Sequence, residues 1–249
     1  MGLADLHVHT TYSWDGTMTP AAALQAASLA GLDVIAITDH DEIRGAYAAQ
    51  ELAGKYGVEV IPGIEINTAD GHLLALFVHE LVPAGLSLRE TLDRIGAQGG
   101  LAIAAHPAAP LTPSLGFEAL RQALADPDAR KVLHGIEVYN GGLPYRRGNA
   151  RVKAFAGSLR HPLAWVGNSD AHYFWAIGLG VTHFPGQTAA GLREALVERK
   201  TSAHGPSGIL TLSPIAGWIG HYLLRKLGWV TSHAVPQKSF GLSRQFFTS

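Results

Sequence analysis

The histidines and carboxylates of this chain recur in one pattern. His7-x-His9 is followed by Asp15, and Asp39-His40-Asp41 comes next. Glu65 and His72 flank a turn, and His106-Pro107 follows. Glu137 and Asn140 come later, and Asn168, Asp170 and His172 close the series. There is no cysteine, so any metal must be held by nitrogen and oxygen. That donor mixture suits Zn, Mn or non-haem Fe, whereas Mg or Ca sites use mainly oxygen. About nine candidate ligands are too many for one tetrahedral ion, which takes four, so two or three ions are implied. Ions about 3.5–4 Å apart stabilise the attacking and leaving oxygens of phosphoryl transfer and lower the pKa of a bound water towards ~7. Any one of these residues alone is more often a hydrogen-bonded structural group; the argument rests on five strand regions carrying the same chemistry. No competing catalytic set is present: there is no G-x-S-x-G elbow, no P-loop, and no G-x-G-x-x-G opening a helix.

The elements that must position these groups are short. Apolar runs at residues 3–8, 34–38, 58–66, 73–78, 101–105, 135–139 and 163–166 read as seven strands. Helical patterns fall between them, at about 20–30, 42–56, 87–98, 117–125, 149–159 and 188–200. Thr19 before Pro20, and Ser87, are N-cap signals. Ala69-Asp70-Gly71 is a turn signal that makes strands three and four a hairpin. The alternation predicts an α/β fold with a mainly parallel sheet. On a strand, residues i and i+2 share a side, so His7 and His9 can grip one ion or two adjacent ones. In a barrel the C-terminal strand ends meet at one rim, and the polar clusters sit at those ends.

Composition excludes several classes. Hydrophobic residues are 47% and charged residues 16%, which is globular and not disordered. Disulfide scaffolds, thiol catalysis and iron–sulfur clusters are excluded by the lack of cysteine. The start MGLADLHVHT shows no signal-peptide pattern, and no run reaches ~18 apolar residues; a cytoplasmic location is expected. A net charge of −1 does not suggest a nucleic-acid binder, so no stable nucleic-acid complex is expected. The charge is uneven, because no acidic residue follows Glu198 while six basic ones do. Pro206, Ser207 and Gly208 mark a joint, dividing a barrel at 1–205 from a basic, aromatic-rich extension at 206–249.

The segments DLHVHTTYSWDG (5–16), TDHD (38–41), GIE (63–65), GHLL (71–74), AHP (105–107) and NSDAH (168–172) resemble, in order, the motifs of the PHP (polymerase and histidinol phosphatase) superfamily. The resemblance covers residues 1 to about 200. It implies a distorted seven-stranded (β/α)7 TIM-like barrel, two or three divalent metal ions, and phosphoesterase activity. Carried over by motif, the ligands are His7, His9, Asp15, His40, Glu65, His106, Asp170 and His172. Asp15, His40, Asp170 and His172 are the catalytic candidates among them. The remaining ligand matches His72 in some members and His79 in others; a hairpin favours His72, and a parallel fourth strand would favour His79. Trp14 is a spacer that sets Asp15 one residue later than in members reading Ser-Asp-Gly. Asp39 is an outer partner or a ligand. Glu137 and Asn140 resemble a segment that lines the cleft. Together with Arg44 and Arg147 they are the substrate-binding candidates, with Arg146 and Arg151 as further arginines able to hold a phosphate.

The expected function is metal-dependent hydrolysis of a phosphate ester of a small molecule or nucleotide end, by a metal-activated water. Two other functions fit the same residues: a metal-dependent C–N or C–O bond hydrolase, and a non-catalytic metal-stabilised binding module. The extension carries Ile215, Trp218, Ile219, Tyr222 and Leu223 at helical spacing. It is expected to dock as a helix and tail, or to contact a membrane surface or protein partner.

Overall fold

Buried strands flanked by helices on the outside account for the uninterrupted apolar runs. A computed structural model describes residues 1–109, 112–142 and 146–205. The chain runs β1 (Gly2–Asp5), α1 (Pro20–Leu29), β2 (Val34–Ile37), α2 (Arg44–Leu52), β3 (Glu59–Thr68), β4 (Gly71–Leu76) and α3 (Leu88–Ala97). It continues through β5 (Leu101–Ala104), α4 (Phe117–Ala125), β6 (Leu133–Asn140), α5 (Arg146–Gly157), β7 (Ala164–Asn168), β8 (Val181–Phe184), α6 (Ala189–Val197) and β9 (Ser202–His204). Helix starts follow their caps. The Thr19 side chain accepts from the Ala22 N–H ahead of Pro20, and Ser87 forms a capping box with Glu90.

One sheet takes the order β7-β6-β5-β4-β3-β2-β1-β8-β9. Pairs β1–β2, β2–β3, β5–β6 and β6–β7 are parallel, while β3–β4, β4–β5, β1–β8 and β8–β9 are antiparallel. The sheet nearly closes. The segment after β7 meets the extension of β1, where the His9 N–H donates to Ala171 O at 2.8 Å and the Ala171 N–H donates to His7 O at 3.2 Å. The expectation of seven, mainly parallel strands is corrected to nine strands of mixed direction among the described residues. All seven predicted strands are present; β8 and β9 are the additions. Neither has an apolar run of its own: β8 reads VTHF and β9 reads SAH. They are strands because β1 offers an edge, with Leu3 opposite His183.

Alternation sorts the core. Ala4, Leu6, Val34, Ala36, Leu74, Ile103 and Val166 pack into one cluster. Ile35 and Ile37 join the α1 and α2 side, and Ile64, Ile66, Leu73 and Ala104 join the α3 to α5 side. Glu65 lies between Ile64 and Ile66, and His72 precedes Leu73, so both turn away from the helices toward the barrel interior. Residues 206–249 lie outside the described residues, so the expectations for the extension do too. Among the described residues, no helix is long and apolar enough to cross a membrane.

Candidate metal centre

Glu65 stands at the centre of the site. It is buried, and its two oxygens face five imidazoles. Oε2 lies 3.0 Å from His7 Nε2, 3.1 Å from His9 Nε2 and 3.4 Å from His40 Nδ1. Oε1 lies 2.9 Å from His72 Nδ1 and 3.1 Å from His106 Nε2. Val8, between His7 and His9, packs under the helices, so strand alternation turns both histidines inward. Asp170 Oδ1 is 3.3 Å from His7 Nε2 and 3.4 Å from His9 Nε2. Asp15 Oδ2 is 2.9 Å from His172 Nε2 and 3.5 Å from His40 Nε2.

The structure thus brings together all nine residues taken as ligands. Eight of them form three overlapping groups: His9, Asp15, His40 and His172; His7, His9, Glu65 and Asp170; and His40, Glu65 and His72; His106 joins through Glu65 alone. Within each group the donors lie within 4.8 Å of one another. His72 is inside because β3 and β4 form the hairpin, with Asn67 opposite His72. His79 lies past the far end of β4, exposed, with its carbonyl accepting from Tyr47 Oη.

The donor set fits divalent ions. Buried polar groups are nearly always paired, yet His9 Nε2, His40 Nδ1 and His72 Nδ1 are buried with no well-aligned hydrogen bond, only close approaches to Glu65. They are lone pairs or protons aimed at Glu65. Burial opposes a proton on His7, but Asp170, Glu65 and Glu137 raise its pKa well above the usual imidazole range. His9 and His40 are raised against burial by the same carboxylate neighbourhood. Burial also lowers His172, and the Asp15 carboxylate overrides it, raising His172 to about 9. Glu65 is held well below the carboxylate range, against its burial, by His7, His40 and His72; Asp15 is held there by His172 and His40. Asp170 is lowered in the same way, chiefly by His7. A nest of carboxylates that draws protons onto buried imidazoles will equally accept cations in their place.

A supporting layer holds the donors. Glu137 is buried behind His7: its oxygens meet His7 Nδ1 at 3.3 Å and accept from the His106 N–H at 2.7 Å, Asn140 Nδ2 at 2.9 Å and Asn168 Nδ2 at 2.9 Å. Asn140 also donates to Asp170 Oδ2 at 3.2 Å. These two residues, expected to line the cleft, therefore stand under the donors, because the end of β6 points its polar groups into the barrel. Asp39 accepts from the Thr10 N–H and from Thr10 Oγ1, fixing the loop after His9; burial raises it to about 6. Sequence reasoning put Asn168 in the strand-end series without a role and passed over Ser13. Ser13 Oγ donates to Asp15 Oδ1 at 2.6 Å and accepts from the His40 N–H at 3.3 Å. Only the proximity of Ser13 to Asp15 in the chain could have flagged it. Arg44 is exposed and paired with Glu42, the Arg151 guanidinium lies over the Phe117 ring, and the side chains of Arg146 and Arg147 lie outside the described structure. Two donors sit on left-handed backbone, His106 at φ +27° and Asp170 at φ +54°, a conformation that functional sites hold at a cost.

Comparisons with known proteins point to one family. The PHP domain model matches residues 5–142, and a PHP-associated model matches residues 146–201. The chain is 42% identical over 147 residues to the uncharacterized protein MJ1587 of Methanocaldococcus jannaschii, covering 55% of this chain and 81% of that protein. It is 40% identical over 99 residues to the phosphoribosyl 1,2-cyclic phosphate 1,2-diphosphodiesterase of Eggerthella lenta, which is 37% of each chain. A crystal structure of a two-domain protein from Bacteroides vulgatus, described as containing a predicted PHP-like metal-dependent phosphoesterase, superposes with a TM-score of 0.65 and 25% identity. That match covers 82% of this chain and 64% of the other. With the family model spanning the strands that carry most of the donors, the chain belongs to the PHP domain family.

Proposed function

We propose that the protein hydrolyses a phosphate ester of a small molecule or a nucleotide end at this centre. One observation carries the reading: eight His, Asp and Glu donors converge in three overlapping groups, with His106 a ninth at Glu65, enough for two or three ions. When bound, divalent ions polarise a phosphoryl oxygen and make water a competent nucleophile near neutral pH. The chain's own residues do the rest. Glu65 and Asp170 hold the inner imidazoles in one orientation. Glu137 and Asn140 hold His7 and Asp170 from behind. His172 has the most exposed side chain of the donors, at 20%, and its Nε2 meets Asp15 Oδ2 at the open side of the cluster.

The test is ester hydrolysis by the protein supplied with Mn, Zn or Fe, read as phosphate release from monoesters and as ring opening to a monoester for a cyclic phosphate. The panel contains phosphomonoesters, a cyclic phosphate and, in parallel, cyclic amides; the cyclic phosphate is included because the Eggerthella lenta relative is named for one. Hydrolysis of either kind of ester with two or three ions per chain supports the reading. Turnover of amides alone, or metal uptake with no turnover, overturns it in favour of a C–N hydrolase or a binding module respectively.

A further inference from the structure

Trp14 is an aromatic group at this rim that neither folding nor ligation uses. It stands between Ser13 and Asp15 in a loop whose backbone is fixed on both sides. The Ser13 N–H donates to Thr10 O at 3.0 Å, and the Thr11 N–H donates to Met18 O at 2.7 Å. Ser13 Oγ bridges Asp15 and the His40 N–H. Held in this ordered loop, Trp14 nevertheless stays 45% exposed. Its ring lies nearly parallel to that of His40, at 21° and a centroid distance of 5.9 Å. The indole thus rests on a metal donor and keeps much of its surface in water. Single exposed hydrophobic residues are common, but this one is tied to the centre by both its chain neighbour and its stacking partner. Trp175 repeats the theme: it is 71% exposed, three residues after His172, and packs edge-on against Phe174.

We propose that Trp14 is a stacking platform that selects phosphate esters carrying a planar ring, a nucleobase in the natural substrate. The proposal rests on the phosphoesterase reading for the phosphate half of the ligand and adds the recognition of the other half. A base has a π-face to lay on indole, and base–aromatic stacking tolerates any base. A sugar phosphate or alkyl phosphate offers no such face. Because Trp14 stacks on His40, a ring laid on the indole sits next to the donor cluster. A ribose can then join that ring to a phosphate held at the donors.

The experiment compares AMP with ribose 5-phosphate, using full-length protein with Mn. Wild type, Trp14→Ala and Trp14→Phe are measured for kcat/KM on both. The wild type is expected to prefer AMP. Trp14→Ala should lower the AMP to ribose 5-phosphate ratio about tenfold, within what stacking supplies, and Trp14→Phe should restore most of it. If both substrates fall together and the ratio holds, Trp14 merely supports Asp15 and the proposal is overturned. A wild type indifferent to the base overturns it as well. If neither ester turns over, the phosphoesterase reading fails by itself, and calorimetric binding decides the platform. AMP binding that is tighter than ribose 5-phosphate binding and about tenfold weaker in Trp14→Ala upholds it; equal binding of the two ligands refutes it.

Discussion

Glu65 shows how one buried carboxylate can organise five imidazoles, and its neighbours give the sharpest residue-scale predictions. Alanine at His7, His40 or Asp170 removes a donor from one or two of the three groups. Each variant should lose phosphate release while its circular dichroism spectrum is retained, since the surrounding apolar clusters are untouched. Near-normal activity in any of them would count against the assignment. Glu137→Gln tests the layer beneath. It keeps the shape but places an amide group among Asn140, Asn168 and His106 donors, all of which need an acceptor. Metal affinity should drop about 10–100-fold, as is usual when a residue orienting a ligand is lost, and a metal titration would measure it.

At the scale of elements, the β3–β4 hairpin decides which residues can be ligands. Gly71 takes φ +129°, and a Cβ there would meet the backbone carbon of Ser114 at 2.4 Å. Gly71→Ala should therefore cost about 2 kcal/mol in denaturant unfolding. It should also weaken metal binding, because His72 is the next residue and its N–H bonds Pro113 O. Thr19→Ala provides a contrast on α1. It removes the cap to the Ala22 N–H and should cost about 1 kcal/mol while leaving metal affinity unchanged. Equal effects of the two variants on metal binding would mean that the hairpin does not position His72.

For the whole molecule, the site couples protons, metal and stability. His7, His9, His40 and His172 all have raised pKa values, His172 to about 9 from 6.5. A group raised in the folded state contributes stability that is complete below the unfolded pKa and is lost as pH rises through the folded one. Protein stripped by a chelator should thus lose Tm as pH climbs from 6.5 towards 9, and added Mn or Zn should restore it there. Metal uptake must displace these protons, so apparent affinity should weaken as pH falls, with protons released on binding. A Tm that is flat across this window with and without metal would contradict the coupling.

Much of this was legible in the chain itself. Seven strands and six helices follow from apolar periodicity, caps and turn residues, because local steric and burial rules act within a few residues. The donor types follow from the absence of cysteine and from the strand-end positions of His, Asp and Glu. The closure of the sheet was not legible. Strands β8 and β9 lack an apolar signature and exist only because a distant edge is there to pair with, which no local rule can see. The supporting layer was hidden for the same reason. Glu137 and Asn140 look like cleft residues in sequence, yet their partners His7, His106, Asn168 and Asp170 come from three other strand ends. Sequence by itself determined the elements and the chemistry of the donors. Tertiary structure decided which donors come within reach of one another and which polar groups stand behind them, because those contacts join residues up to more than a hundred positions apart.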